Sequence, residues 1–169
     1  CALPISTRGV AESLNLADCD LPGLAEFLHG STIAINTVLE RKGAKTALVT
    51  TKGFRDVYAI GRSNRIEAFN LFFHRPKPLA PRRLTYELDE RLNHAGQALK
   101  PLVAAEVEAV AKQLLAEGVE AVAVCLLHAY ANPAHERAVG DILRRACPNV
   151  FVTLSHEILR EFREYERTS

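Results

Sequence analysis

The sequence predicts an α/β fold, with a mainly parallel sheet and flanking helices. Compact apolar segments alternate with amphipathic helical segments in the second half of the chain, a pattern typical of crossover connections onto a parallel sheet. Residues 119–127, VEAVAVCLL, are almost entirely apolar, as expected for a central strand covered on both faces. The chain has 169 residues, 48% of them hydrophobic, which is enough for one domain with a buried core.

The first third of the chain predicts two helices and a strand. Residues 6–17, STRGVAESLNLA, predict a short helix. A second helix is expected over residues 32–41, with Ser31 as its cap and Gly43 as its end. Residues 45–51, KTALVTT, predict a compact strand.

The middle of the chain interrupts this alternation. Residues 54–62, FRDVYAIGR, predict a short helix or turn. Residues 63–100 contain clustered prolines and many arginines, with TYELDERL as the only clear extended piece. We predict that residues 63–100 form an excursion from the main sheet, with a small hairpin, inside a single domain over residues 1–169.

Regular alternation then returns. Val and Leu recur at helical spacing between positions 103 and 114, and Gly118 ends that helix. Asn132 and Pro133 open the next helix, whose predicted buried face consists of Val139, Ile142, Leu143 and Ala146. After the strand NVFVTL, residues 149–154, Ser155 is expected to cap a last helix, whose shared face consists of Ile158, Phe162 and Tyr165.

Composition argues against several classes of partner and location. The net charge of +1 gives no electrostatic reason to expect nucleic acid or an acidic membrane. No apolar run approaches the roughly 20 residues of a membrane span, and CALPISTRG does not read as a signal peptide. The cysteines form no CxxC pair, so we expect no disulfide framework and no zinc site, and we expect a cytoplasmic location.

The chain lacks a starting Met and ends in a polar helix-like segment, so we expect a piece of a longer protein.

The segment HGSTIAINTVLERKG, residues 29–43, is the first candidate for a binding site. Gly30, Ser31 and Thr32 would present free N–H groups at a helix start, where the dipole favours a phosphate or carboxylate. Asn36 lies one turn further and needs a ligand or the neighbouring loop as its partner. An ordinary Ser cap explains the same residues, and the residues alone favour that simpler explanation.

Polar residues also follow the predicted strands, at the edge where parallel sheets bind ligands. These residues are Thr50 and Thr51, then His128, then Ser155 and His156. His128 and His135 could form a pair of metal ligands, but no third ligand has a matching spacing, so we expect no metal there. We expect these histidines instead to donate a hydrogen bond to a backbone carbonyl and so to stabilise a loop. We do not expect Ser155, His156 and Glu157 to form a catalytic triad, because adjacent residues at a helix start point in different directions.

Charged residues supply the remaining candidates. Arg62 and Arg65, in GRSNR, could bind a carboxylate, although exposed surface arginines are commoner. Glu164 has Arg160 and Arg167 at helical neighbour spacing, which predicts a solvated, salt-bridged helix face.

Several long motifs together resemble one family. HGSTIAINTVLERKGAKTALVTTKGFRDVYAIGR is similar to the HGTT-x-ATN-x-LLERKGA…ALVTTKGFRD…IGR region of the hydantoinase A and 5-oxoprolinase family. The similarity continues through PRRLTYELDERL, GVEAVAVCLLHAYANPAHER and LSHEILREFREYERTS, so it covers residues 29–169. The chain therefore resembles the N-terminal domain of that family.

The resemblance implies part of an actin-like, ribonuclease-H-like ATPase domain. Family members use ATP to open a cyclic amide such as 5-oxoproline or an N-substituted hydantoin, through phosphoryl transfer to a carbonyl oxygen, commonly with Mg²⁺. Relatives are ATP-dependent acetone or acetophenone carboxylase subunits. The implied partners are the cyclic amide, ATP, and a hydantoinase B-like subunit or fused domain in an oligomer.

The resemblance also assigns roles to particular residues. The implied substrate- or phosphate-binding residues are His29, Gly30, Ser31, Thr32, Asn36, Arg62 and Arg65. Ser31 stands where the family usually has threonine, a change that keeps the hydroxyl group. His128 and Glu164 are weaker candidates, for which a structural role is an equal alternative.

One departure from the family pattern bears on activity. The acidic, glycine-rich hairpin D-x-G-G-T-F-T-D, which handles the nucleotide phosphates and magnesium, is absent from this sequence. We expect it upstream of Cys1, and the second half of the ATP cleft beyond Ser169, so the isolated chain should be inactive and hold no tightly bound cofactor. The motifs do not separate an amidohydrolase from a carboxylase subunit. A non-catalytic regulatory or scaffolding domain of the same fold is the third alternative.

Overall fold

The computed structural model describes residues 12–14, 32–62, 69–74 and 77–169. The chain divides into two compact units, residues 1–43 and 44–169, and each is described by itself. The helix predicted over residues 6–17 lies outside the described residues except at 12–14, which are helical. Within the described ranges, no helix combines the length and the apolar character needed to cross a membrane.

The first unit contains helix α1, Ile33–Glu40. The strands of the second unit are β1 (Thr46–Thr51), β2 (Thr85–Leu88), β3 (Arg91–Leu92), β4 (Ala98–Lys100), β5 (Ala121–Cys125) and β6 (Phe151–Leu154). Its helices are α2 (Val57–Ile60), α3 (Ala104–Ala116), α4 (Ala134–Ala146), α5 (Ser155–Ile158) and α6 (Glu164–Thr168).

Helix α1 is terminated by Arg41 rather than by Gly43, the predicted end. Ser31, the predicted cap, lies outside the described residues, and Thr32 makes no side-chain cap hydrogen bond. Arg41 adopts a left-handed φ of 54°, and its N–H and that of the next residue donate to carbonyl oxygens in the last turn at 3.2 and 3.1 Å. These bonds satisfy the terminal carbonyls, so the helix stops before it reaches Gly43.

Four strands of the second unit form a parallel sheet in the order β2–β1–β5–β6. Val49 lies opposite Tyr86 on one side and Val124 on the other, and Val124 lies opposite Leu154. Helices α3 and α4 pack against one face of this sheet. The predicted mainly parallel sheet with flanking helices, and the central place of the apolar strand, are therefore confirmed.

The sheet buries apolar residues on both faces. The core under α3 and α4 includes Val49, Leu88, Val122, Val124, Leu154, Val107, Leu114, Val139 and Leu143. Leu48 and Cys125 belong to a second, smaller cluster with Ala80 and the partly buried Tyr58, as the alternation of side chains along a strand requires.

The predicted excursion contains a strand of the main sheet. Thr85–Leu88, from the TYELDERL piece, pairs in parallel with β1 as its edge strand, which corrects the interpretation of residues 63–100 as lying wholly outside the sheet. Among the described residues of this segment, only β3 and β4 form a separate antiparallel pair. The sequence does not reveal this pairing because proline-rich chain, rather than a long crossover helix, connects β1 to β2.

The last predicted helix is broken into α5 and α6. Leu159 is extended and Arg163 has a φ of 88°, so the helix does not run through from Ser155. Ile158 and Phe162 are exposed instead of sharing a buried face. The buried face of α4 also differs from the prediction, since Ala146 is exposed and Glu136 is buried.

Replacing Gly140 with valine is expected to lower the free energy of unfolding by about 1–3 kcal/mol. A Cβ atom at Gly140 would lie 2.9 Å from Cδ1 of Leu154, a fully buried side chain. Urea unfolding measures the effect. Ala146→Val, at an exposed position of the same helix, is the matched control, and equal midpoints for the two variants would contradict the expectation.

Candidate site at the carboxyl edge of the sheet

Three neighbouring strands end in polar groups at one edge of the sheet. Thr51 ends β1, His128 follows β5 after two residues, and Ser155 and His156 follow β6 directly. Because the strands are parallel, these groups share the edge at which α/β sheets bind ligands. This is the edge that the sequence predicts for chemistry.

The carboxylate of Glu136, in the first turn of α4, is the most enclosed polar group at this edge. Its Oε1 accepts hydrogen bonds from the Leu126 N–H (2.8 Å) and the Ser155 hydroxyl (2.6 Å). Its Oε2 accepts from the backbone N–H of His156 (3.1 Å) and lies 2.7 Å from Nδ1 of that ring. Glu136 therefore joins α4 to the segments that follow β5 and β6.

These contacts do not form a nucleophilic triad. The Ser155 hydroxyl and the His156 ring both bind Glu136, so the ring does not accept the hydroxyl proton. Glu157 is exposed and pairs with Arg144 at 3.5 Å. Ser155 and His156 therefore converge on Glu136, which corrects the expectation that these adjacent side chains point in different directions, and only Glu157 points elsewhere.

A second buried carboxylate, Glu90, lies after β2. The Thr51 hydroxyl donates to its Oε1, and Nδ1 of His135 lies 2.6 Å from its Oε2. Oγ1 of Thr51 also accepts the Leu127 N–H at 2.9 Å. Glu90 therefore joins the ends of β1 and β2 to the start of α4.

His128 occupies a strained backbone position beside these pairs. Its φ of 58° is left-handed, a conformation that costs a non-glycine residue about 1–2 kcal/mol. Its carbonyl accepts the N–H groups of Ala131 and Asn132 at 3.0 and 3.2 Å, so it holds the loop through its backbone. Its buried Nδ1 has no hydrogen-bond partner among the described residues, and its ring contacts Tyr130 edge to face at 5.9 Å.

Arg167 is buried at this edge, which corrects the prediction of a wholly solvated face. Its guanidinium donates to the carbonyl oxygens of Leu126 (2.9 Å) and Glu161 (2.8 Å). The carboxylate of Glu164 lies 3.5 Å from Nη2 of Arg167, whereas Arg160 donates to the His156 carbonyl at 3.3 Å. Glu164 therefore neutralises a buried arginine, the structural alternative considered for it.

The other predicted site residues that the structure describes belong to two different units. In the first unit, the Asn36 amide donates to the Thr32 hydroxyl at 3.2 Å, and both side chains are exposed. In the second unit, the exposed Arg62 donates to Glu166 at 2.6 Å. The remaining predictions, His29, Gly30, Ser31 and Arg65, lie outside the described residues.

Burial and neighbouring groups shift the pKa values of two further residues. Burial tends to raise the pKa of Glu166, but a backbone N–H and the Arg62 guanidinium outweigh it and hold that pKa below its ordinary value. Burial raises the pKa of the Cys125 thiol, so it stays protonated and behaves as a core residue. Across the described ranges, no three His, Cys, Asp or Glu side chains come together as a metal site.

Residues 6–147 of the chain match the protein family described as "Hydantoinase/oxoprolinase N-terminal region". The chain belongs to this family. It is 38% identical over 95% of its length to an uncharacterized protein of Methanocaldococcus jannaschii. It is 32% identical both to the acetophenone carboxylase gamma subunit of Aromatoleum aromaticum, over 88% of the chain, and to caprolactamase subunit alpha of Pseudomonas jessenii, over 91%.

The chain spans about a quarter of the length of these relatives, since it covers 24%, 22% and 22% of them. Its fold is similar to the crystal structure of ATP-dependent caprolactamase from Pseudomonas jessenii, with a TM-score of 0.80 and 29% identity over 99% of the chain and 25% of that structure. A nucleotide-free structure of acetone carboxylase gives a TM-score of 0.72 and 31% identity over 79% of the chain and 21% of that structure.

Sequence reasoning missed the two buried glutamates in this family member. A signal for Glu136 was present, since Val139 and Leu143 follow it at intervals of three and four residues and place it on the buried face of α4. Glu90 gave no such signal, because its donors come from Thr51 and His135, which are 39 and 45 residues away in sequence.

Replacing Glu136 with glutamine is expected to lower the free energy of unfolding by about 2–4 kcal/mol. One acceptor oxygen becomes an NH₂ group that faces N–H and O–H donors, so buried donors lose their partner. Thermal or urea unfolding measures the loss. Glu157→Gln, an exposed glutamate in the next helix, is the control, and a similar stability for the two variants would refute the role assigned to Glu136.

Proposed function

We propose that the chain is part of an ATP-dependent cyclic amidohydrolase, which opens a hydantoin or 5-oxoproline ring after phosphorylation of a carbonyl oxygen. The main support for this proposal is the structural similarity to ATP-dependent caprolactamase, which extends over 99% of the chain. Caprolactam is itself a cyclic amide. Membership of the hydantoinase/oxoprolinase family supports it. We also propose that the chain is part of an actin-like ATPase domain, one domain over residues 1–169, in which residues 63–100 leave the main sheet except at the strand Thr85–Leu88.

Amide chemistry explains why ATP is needed. An amide carbonyl is a poor electrophile, and transfer of a phosphoryl group to its oxygen prepares the carbon for attack by water. The energetic contribution of a protein to such a transfer is mainly positioning and neutralisation of phosphate charge. ATP supplies the phosphoryl group when bound. We propose Mg²⁺ as its companion, but the described residues bring no set of metal ligands together, so no step is assigned to a metal-binding residue of this chain.

The proposed binding groups are hydroxyl, amide, imidazole and guanidinium side chains and the backbone N–H of a glycine. They are Thr32, Asn36 and Arg62 among the described residues, together with His29, Gly30, Ser31 and Arg65. Thr32 and Asn36 are exposed, and within the described part of the chain they bond only to each other and to their own helix, so a ligand can reach them. Arg62 would have to exchange Glu166 for a substrate carboxylate, which makes it the weaker candidate.

We propose a second subunit or fused domain of the hydantoinase B type, in a cytoplasmic oligomer. Relatives of this chain are named as subunits of carboxylases and of caprolactamase, which supports the need for a partner. The free, buried thiols of Cys125 and Cys147 suit a reducing compartment.

A carboxylase subunit is the second candidate function. It is favoured by the 32% identity to an acetophenone carboxylase gamma subunit and by the structural similarity to acetone carboxylase. In that reaction the activated carbonyl belongs to a ketone, and bicarbonate supplies the added carbon.

The complete protein with its partner is expected to hydrolyse ATP when a cyclic amide is added. The assay compares ADP release with ring opening for 5-oxoproline, hydantoins and caprolactam, and with product formation from acetone or acetophenone plus bicarbonate. Coupled ring opening supports the amidohydrolase. Turnover with ketones but not with cyclic amides would refute the amidohydrolase and support the carboxylase subunit. No turnover with cyclic amides or with ketones would favour a non-catalytic domain.

Replacing Thr32 or Asn36 with alanine in the complete enzyme is expected to reduce kcat/KM at least about tenfold, a loss equal to one hydrogen bond to a charged group. Steady-state kinetics measure the change. Thr37→Ala is the matched control, because Thr37 lies in the same helix and its hydroxyl donates to the Ile33 carbonyl at 2.8 Å. Unchanged turnover and substrate affinity in both variants would show that the assignment is wrong.

A further inference from the structure

Two carboxylate–imidazole pairs lie side by side at the start of α4, and they differ in accessibility. In the pair Glu136–His156, the two side chains are 0% and 2% exposed. In the pair Glu90–His135, the carboxylate is also 0% exposed, but the imidazole is 15% exposed. The consecutive residues His135 and Glu136 therefore belong to different pairs. Glu136 belongs to the fully buried pair, and His135 belongs to the pair whose ring is partly accessible.

The donors around each carboxylate differ as well. Glu136 accepts four hydrogen bonds, two of them from backbone N–H groups. Glu90 has two side-chain partners, Thr51 and His135. With fewer donors to spread its charge, the Glu90 carboxylate polarises the His135 ring more strongly.

The hydrogen-bond chain fixes the direction of each proton. Oγ1 of Thr51 accepts the Leu127 N–H, so its own hydroxyl proton points to Oε1 of Glu90. Oε2 of Glu90 then accepts the proton on Nδ1 of His135, at 2.6 Å. This arrangement leaves the lone pair of the neutral ring on Nε2, which has no partner among the described residues.

We propose that His135 is the general base of the ring-opening step, with Glu90 and Thr51 as its positioning residues. This inference rests on the proposed function, since it names the group that activates water in the proposed reaction. A carboxylate that fixes the tautomer of a histidine and stabilises its protonated form is the arrangement general-base catalysis requires.

The step starts from the phosphorylated ring. In this species the former carbonyl oxygen carries the phosphoryl group, and the former carbonyl carbon is joined to the ring nitrogen by a double bond. The water oxygen forms a bond to the ring carbon, and the C=N π pair moves to the nitrogen. One water proton moves to Nε2 of His135. The imidazolium then delivers that proton to the ring nitrogen, which restores the neutral base and leaves a tetrahedral carbon that carries the new hydroxyl, the phosphoryl oxygen and the amine. The C–N bond breaks with its electron pair going to the nitrogen, while His135 transfers the hydroxyl proton to that nitrogen and the C=O bond forms. The products of this step are the free amine and an acyl phosphate, and attack of a second water on the acyl phosphate releases inorganic phosphate and the carboxylate.

His135→Asn separates this role from a structural one. The Asn amide can still donate to Glu90 from the position of Nδ1, so the contact between α4 and Glu90 is kept, but the Nε2 base is lost. We expect the urea midpoint of the complete enzyme to stay close to that of the wild type. The kcat for ring opening should fall about 10²- to 10⁴-fold, with KM changed less than about threefold.

Two further variants make the test specific. His94→Asn replaces an exposed histidine of the β3–β4 connection and should leave kcat unchanged. In His135→Gly, added imidazole should restore part of the lost turnover, which a structural histidine would not allow. Turnover of His135→Asn within threefold of the wild type, or no rescue of the glycine variant, would overturn the proposal.

The ring tautomer gives a readout that needs no substrate. Nitrogen-15 NMR of the wild type should show His135 protonated at Nδ1, and Glu90→Gln should shift that equilibrium and lower kcat at least about tenfold. A wild-type ring protonated at Nε2 and not at Nδ1 would overturn the inference whatever the activity. A wild type with the expected tautomer that opens no cyclic amide would instead refute the proposed function, and with it the base role.

Discussion

The buried carboxylate of Glu136 is the interaction on which the carboxyl edge of the sheet depends. A carboxylate removed from water is costly unless its oxygens are hydrogen-bonded, and this one meets that requirement with donors from Leu126, Ser155 and His156. Those donors follow β5 and β6, whereas Glu136 belongs to α4. One side chain therefore fixes three elements, and the position of the neighbouring His135 follows from it.

The same edge combines satisfied and unsatisfied polar groups. Glu136 and Arg167 use buried hydrogen bonds to hold backbone segments in place, although Nε of Arg167 has no hydrogen-bond partner among the described residues. His128 has a strained backbone and a buried Nδ1 without a partner among the described residues, and the His135 side chain is partly exposed. Strain and unused hydrogen-bonding capacity are features that folded proteins retain mainly at functional sites, which is why this edge is the candidate site of the second unit.

Individual residues show where sequence reasoning succeeds and where it stops. The strands Thr46–Thr51 and Phe151–Leu154 and the helix Ala104–Ala116 follow from local apolar periodicity, because burial of one face imposes that periodicity. Arg167 was placed in solvent because its spacing from Glu164 is typical of a surface pair. Its burial depends on the Leu126 carbonyl, 41 residues away in sequence, and no local pattern reports such a contact.

By itself, the sequence determined the fold class and the parallel direction of the strands, because both follow from the local periodicity of alternating strands and helices. It also determined the family, because long contiguous motifs identify it. Only the tertiary structure decided that Thr85–Leu88 joins the main sheet, that the last helix breaks, and that Glu90 and Glu136 are buried against histidines. The physical reason is the same in each case. These features depend on hydrogen bonds between residues far apart in the chain, whose partners are chosen when the elements pack.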